Sequence, residues 1–140
     1  MLLVKTYIAP SKIHGIGLFA TEFIKKGTPT WQFTPGMDLE LKENLMKLPQ
    51  SSWESLLNHC YIDPQKPDTY ILCFDNARFV NHSENPSIKN GPLVNGVYSD
   101  IAARDIEEGE ELTYNYKEED LDYYRKFNLN QKQNTKSATL

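Results

Sequence analysis

Three short segments of the chain hold side chains whose types and spacing could do chemistry. The first is Gly15-Ile16-Gly17, running into Leu18-Phe19-Ala20. Residues without a Cβ let a ligand approach the backbone closely. A third glycine and a following Lys-Ser or Lys-Thr are missing, so neither the dinucleotide fingerprint nor the phosphate loop is met. Alone, the segment reads equally as a turn. The second is Arg78-Phe79-Val80-Asn81-His82-Ser83. Its amide and imidazole could hold a polar ligand, or could be a core pair satisfied by backbone hydrogen bonds. Asn81-His82-Ser83 is also a glycosylation sequon, a reading that needs a secretory signal. The third is Gly109-Glu110-Glu111-Leu112-Thr113-Tyr114-Asn115-Tyr116, a turn into a tyrosine-rich strand. An improvised metal site from His59, Cys60, Cys73 and His82 fits no zinc spacing, so no metal is expected.

These segments need a scaffold, and 140 residues are about the size of one domain. No apolar run approaches the roughly 20 residues of a membrane-spanning helix. Met1-Leu2-Leu3-Val4-Lys5 lacks the order of a signal peptide, so no membrane association is expected. Cys60 and Cys73 are the two cysteines, too few for a disulfide framework. A reducing, cytoplasmic compartment fits best, with export to a host cell or nucleus left open. The net charge is −4, and carboxylates crowd between Asp105 and Asp122. This is not the electrostatic footprint of a nucleic-acid binder. A basic polypeptide is the expected partner, although Glu107, Glu108, Glu110 and Glu111 read equally as a solvated turn.

Leu2 to Ala9 is rich in β-forming residues and bounded by Pro10, and Ile16 to Ala20 and Pro29 to Thr34 read as further strands. Asp38 can cap a helix with apolar positions Leu41, Leu45 and Leu48, stopped by Pro49. Ser51 and Glu54 have capping-box spacing for a second helix, with Trp53, Leu56, Leu57 and Cys60 on its apolar face. Tyr61 to Asp63 and Thr69 to Phe74 suggest a hairpin with a longer loop. Leu93 to Ala103 and Leu112 to Tyr116 are extended again, and the tail from Gln131 is polar, as expected of disorder. The expected class is mostly β with short helices, a β-rich α+β domain.

In this order and spacing the three segments resemble the SET domain family of protein-lysine methyltransferases. Ile13 through Gly27 and Ala102-Ala103-Arg104-Asp105-Ile106 resemble the family's first segment and its approach to the last motif. The likeness covers residues 1 to 120 and is nearest the small free-standing bacterial and viral type. It implies a SET domain over 1–120, a closing segment over 121–130 and a tail over 131–140. The implied fold is a set of small curved sheets with a C-terminal pseudoknot, an exception to unthreaded chains.

The implied activity is methyl transfer from S-adenosylmethionine to the ε-amino group of a lysine in a protein or peptide, histone-like among the options. By resemblance, the backbone around His14, Gly15, Ile16 and Gly17 would hold the methionine end of the cofactor. Asn81, His82, Arg78, Tyr116 and Phe127 would contact it, with Arg78 and Ser83 also supporting the pseudoknot. Tyr116 would be the active-site tyrosine. Tyr114 would be the phenylalanine/tyrosine switch, a tyrosine there implying monomethyl-lysine. Phe33, Tyr61, Tyr70 and Tyr98, with Tyr114, are candidate aromatics of the lysine channel, and equally ordinary core aromatics. Glu84 and Ser87 stand where many relatives have Cys and Asn, and the cysteine-rich segment that many carry after the domain is missing. Tyr123, Tyr124 and Phe127, spaced for a short helix, would close the cofactor site instead, or pack the tail. Two other classes stay open: a non-catalytic SET-like module that binds lysine-containing peptides, and transfer to a small amine. No motif announces an oligomer.

Overall fold

The computed structural model describes residues 1–42 and 47–127. Among these, strands β1 (Thr6–Pro10) and β2 (Ile16–Ala20) form an antiparallel hairpin with Tyr7 opposite Phe19 and Ala9 opposite Gly17. The chain reverses at Gly15, whose φ of 49° is left-handed and free of Cβ strain only in glycine. Further strands are β3 (Pro29–Gln32), β4 (Leu39–Leu41), β5 (Cys60–Tyr61), β6 (Tyr70–Leu72) and β7 (Asn81–His82). Three more complete the set: β8 (Ile88–Asn90), β9 (Ser99–Ala102) and β10 (Glu111–Tyr114). The described strands build three small sheets, ordered β1-β2-β10-β7, β3-β9-β8 and β4-β6-β5. Short helices are α1 (Gln50–Leu57), α2 (Tyr116–Glu119) and α3 (Tyr123–Lys126), with a 3-10 turn at Asn76–Phe79.

The β10 strand lies between β2 and β7, antiparallel to the first and parallel to the second, with Thr113 opposite Asn81 and Tyr114 opposite His82. Beyond it the chain stays against the Val80–Ser83 segment. The Ser83 amide donates to the Tyr114 carbonyl at 3.0 Å, and the Tyr116 amide donates to His82 Nδ1 at 3.1 Å. This pairing of the Asn-His segment with the C-terminal motif is the juxtaposition that the resemblance implies. Ser87 fastens it: its amide donates to Thr113 Oγ1 at 3.1 Å, and its hydroxyl accepts from the Thr113 amide at 2.8 Å. Paired buried groups of this kind avoid the desolvation cost of an unsatisfied backbone.

Two apolar clusters hold the sheets. Leu18, Ala20, Ile24, Ile88, Ala102, Ile106, Leu112 and Tyr114 form one; Trp31, Ile71 and Cys73 form the other, with Phe33, Tyr61 and Tyr98 packed against it. Each buried Leu or Ile contributes roughly 1.5–3 kcal/mol. Leu2 and Tyr61 border Trp31, so the second cluster joins the β3 and β5 sheets to the N-terminus.

Several expectations need correction. Leu39–Leu41 is a strand paired with β6, not the start of a helix. Asp38 is no free cap: its carboxylate accepts from the Thr34 amide at 2.8 Å, the Phe74 amide at 3.1 Å and the N-terminal ammonium at 3.0 Å. That fixes an extended departure. Leu45 lies outside the described residues. The capping box is not formed, because Pro49 occupies the cap and Glu54 accepts from Gln50 Nε2. Tyr116 opens α2 rather than ending β10. The β8 strand was not foreseen; its polar sequence is carried by pairing with β9.

Candidate active site

Asn81 ties the three motifs together. Its side-chain Nδ2 faces the carbonyls of His14 at 3.0 Å and Ile16 at 3.2 Å, and Glu111 Oε1 at 2.9 Å. Glu111 in turn accepts from the Ser11 hydroxyl at 2.9 Å. A Cβ on Gly17 would sit 2.2 Å from Glu111 Oε1, so the second glycine makes room for this carboxylate.

A cleft of about 620 Å³ opens beside that knot. His14, Gly15, Ile16, Arg78, Asn81, His82, Tyr116 and Phe127, all expected at the cofactor, line it. Gly17 does not. The sequence reading missed His59, Phe79 and Lys126 on its wall. One end is aromatic: the His82 ring lies 5.5 Å from Tyr116, 5.7 Å from Tyr123 and 5.4 Å from Phe127. The α3 helix thus packs on the Asn-His segment, with Tyr124 edge-on to Tyr123 at 5.3 Å.

Behind it lies a narrower cavity of about 70 Å³, walled by Trp31, Tyr61, Tyr114, Tyr116 and Asp100 among others. Of the channel candidates, Tyr61 and Tyr114 line it. Phe33, Tyr70 and Tyr98 do not: Phe33 packs edge-on against Trp31 at 6.4 Å and Tyr98 at 6.1 Å, and Tyr70 begins β6. Tyr116 lines both spaces, and its hydroxyl donates to the Val80 carbonyl. Burial pushes the hydroxyls of Tyr61, Tyr114 and Tyr116 up, so each stays a protonated donor at neutral pH.

The Tyr114 hydroxyl faces Asn90 Oδ1 and, at 2.9 Å, Asp100 Oδ1. Asn90 donates onward to Glu119 Oε2. Burial raises the Asp100 carboxyl to about 7, against the opposing pull of the Tyr114 hydrogen bond. Lys126 reaches in from α3. Its Nζ donates to Asp120 Oδ2 at 2.5 Å and to the Cys60 carbonyl, 5.1 Å from the Tyr116 ring centre. Sequence reasoning missed Asp100, Asn90, Glu119 and Lys126. The available signal for Asp100 was an acidic residue inside a β-forming run, where Asp is depleted.

Burial raises both thiols, Cys60 to about 11 and Cys73 well above its ordinary value, so neither is a ready nucleophile. Among the described residues no group of three or more His, Cys, Asp or Glu gathers to hold a metal ion. No described helix is long and apolar enough to cross a membrane.

The SET domain family profile matches residues 15–117. The chain is 30% identical over 119 residues to the Drosophila melanogaster histone-lysine N-methyltransferase trr, a match covering 79% of this chain and 5% of that protein. The chain thus spans about a twentieth of that relative's length. A subunit of the Chaetomium thermophilum Polycomb Repressive Complex 2 superimposes with a TM-score of 0.66 at 20% identity, covering 89% of this chain and 17% of that one. The same complex bound to S-adenosylmethionine aligns with a TM-score of 0.63 at 20% identity, over 89% and 16%. A Plasmodium falciparum protein described as a candidate histone methyltransferase aligns with a TM-score of 0.58 at 21% identity, over 82% and 95%. With the profile spanning the glycine segment, the Asn-His segment and Tyr116, this chain belongs to the SET domain family.

Proposed function

We propose that the protein transfers a methyl group from S-adenosylmethionine to the ε-amino group of a lysine in another protein. One observation carries this: a large cleft and a narrow aromatic cavity adjoin along a shared wall that includes Tyr116, Val80 and Lys126. Such an arrangement suits two reactants that approach from different sides and touch at one point. The cleft has the size of small-molecule sites, roughly 300–1,000 Å³. It fits the cofactor chemically as well, with backbone and amide groups at His14 to Ile16 and Asn81 for an amino-acid end, and the His82 and Phe127 rings for a purine.

The bound cofactor supplies a methyl made electrophilic by the sulfonium. The chain's work is then alignment and exclusion of water. Asn81 and the Gly15 turn hold the cleft's wall. Tyr116, fixed by Val80, sets the aperture between cleft and cavity. Tyr61, Tyr114 and Trp31 give the lysine an apolar path that disfavours its charged form. Tyr114, as a tyrosine, favours monomethyl-lysine, since its oxygen can keep a water where a first methyl would sit.

A basic protein such as a histone is the proposed partner, on the acidic surface near Glu107 and Glu108 and the named activity of the Drosophila relative. Nucleic acid and membrane are not proposed as partners, and a reducing compartment suits the buried free thiols. The test is incubation with methyl-labelled S-adenosylmethionine and a mixed protein extract including histones, followed by mass spectrometry of labelled bands. Label on lysine is expected. Cofactor binding by calorimetry without any labelled protein would instead favour a non-catalytic module; label on small amines alone would move the substrate class.

A further inference from the structure

The inner cavity carries a carboxylate that the scheme above leaves without a task. Asp100 lies in β9, opposite Trp31 of β3 on one side and Asn90 of β8 on the other, and lines the cavity. A carboxylate in such an aromatic wall is costly unless a cation or hydrogen bonds answer it. Tyr114 donates to Oδ1 at 2.9 Å and leaves Oδ2 unused by that bond.

The titratable groups that face Asp100 are Tyr114 of β10, Tyr61 of β5, Glu119 of α2, Asp63 after β5 and the N-terminal ammonium; β3 and β8 present neutral Trp31 and Asn90. Glu119 and Asp63 carry the same sign as Asp100. The N-terminal ammonium is engaged with Asp38 at 3.0 Å. Lys126, a cation on the same cavity wall, is engaged with Asp120 at 2.5 Å. Arg78, the other cation on that wall, donates to the Phe74 carbonyl at 3.2 Å and lies 5.0 Å from the Phe79 ring centre, so among the described residues the cations near Asp100 are engaged elsewhere.

The missing countercharge is what a lysine side chain brings. Resting on the methyl-transfer reading, we infer that Asp100 receives the substrate's ε-ammonium in the inner cavity and takes its proton. Away from water, an ammonium–carboxylate pair can relax to a neutral amine and a carboxylic acid, removing two buried charges at once. One N–H proton passes to Asp100. The freed lone pair forms the N–C bond to the methyl carbon as the S–C bond breaks, and the sulfonium becomes a neutral thioether. The N-methylated product carries the positive charge, and Asp100 returns its proton to solvent. Tyr114, donating to Asp100, positions the carboxylate.

Asp100→Asn keeps the shape and an acceptor for Tyr114 and removes charge and proton acceptance. The probe is a basic peptide with one central lysine, taken from a histone tail, beside the same peptide with norleucine in that place. Expected is a fall in kcat/KM of roughly 10²-fold or more, unchanged S-adenosylmethionine affinity, and loss of the acid limb near pH 7 that the unaltered protein shows. With S-adenosylhomocysteine bound, the unaltered protein should prefer lysine over norleucine by about tenfold, the worth of one charged hydrogen bond, and the variant should bind both alike. That comparison on the unaltered protein decides the question even if the variant fails to fold. Norleucine binding as well as lysine, or a variant within twofold in kcat/KM with its acid limb intact, overturns the assignment. Absence of methyl transfer in every form overturns the methyl-transfer reading itself, and the lysine preference, measured without turnover, tells the two failures apart.

Discussion

Tyr114 and Tyr116 stand two residues apart, yet their hydroxyls end in different chemistry. The first meets Asp100 and Asn90, the second the Val80 carbonyl. The change of direction comes at Asn115, whose side chain accepts from the Lys117 amide and caps α2. Tyr114→Phe removes the donor to Asp100 and empties the space its oxygen fills. The expected product shifts from monomethyl- toward di- and trimethyl-lysine, and stability falls by roughly 1–3 kcal/mol for the partner left unpaired. Time-resolved mass spectrometry of a methylated peptide, with a thermal melt, checks both; an unchanged product pattern contradicts it. Asn81, His82 and Tyr116 were legible because each sits in a contiguous motif. Asp100 and Lys126 were not, because their neighbours arrive from distant parts of the chain: Tyr114 for the one, Cys60 and Asp120 for the other.

At the scale of elements, the parallel pairing of β7 with β10 sets Asn81 and His82 against Thr113 and Tyr114. Asn81 locks it to the β1–β2 turn through His14, Ile16 and Glu111. Asn81→Ala loosens all three at once. The expected cost is about 2–4 kcal/mol, two or three hydrogen bonds, one of them to a carboxylate, with cofactor affinity falling more than tenfold. Denaturant unfolding and calorimetry read the two effects; a variant of unchanged stability and affinity would show Asn81 to be a bystander. The β1–β2 hairpin could be read from the sequence, since Gly15 and the apolar run after it are local signals. The Asp38 helix could not be excluded, because what turns Asp38 from a cap into an anchor is Phe74 and the chain's own N-terminus. Nor was β8 visible, for Ile88-Lys89-Asn90 is a strand only through its pairing with β9.

The described residues form three small sheets around two cores, and no local window says which strand joins which sheet. Bringing β9, β10 and α2 together takes most of the water from around the half-buried Asp100, with a consequence for stability. Its carboxyl rises from 3.8 to about 7 on folding, so between those values the folded state holds a proton that the unfolded state has released. Folding is therefore progressively weakened as pH climbs from about 4 to 7. Asp100→Asn is expected to melt higher than the unaltered protein at pH 8, by up to a few kcal/mol at roughly 1.4 kcal/mol per pKa unit, and alike near pH 4. Thermal unfolding across that range checks it; a constant difference at all pH values would contradict it. The central claim concerns Tyr116, one of the residues that line both cavities. Its most direct test is the rate of methyl transfer to the labelled lysine by Tyr116→Phe, with cofactor affinity measured on the same sample. The account predicts a loss of at least roughly 10²-fold in rate, the scale of losing one positioned transition-state hydrogen bond, with affinity nearly unchanged. A variant that transfers methyl as fast as the unaltered protein would contradict it.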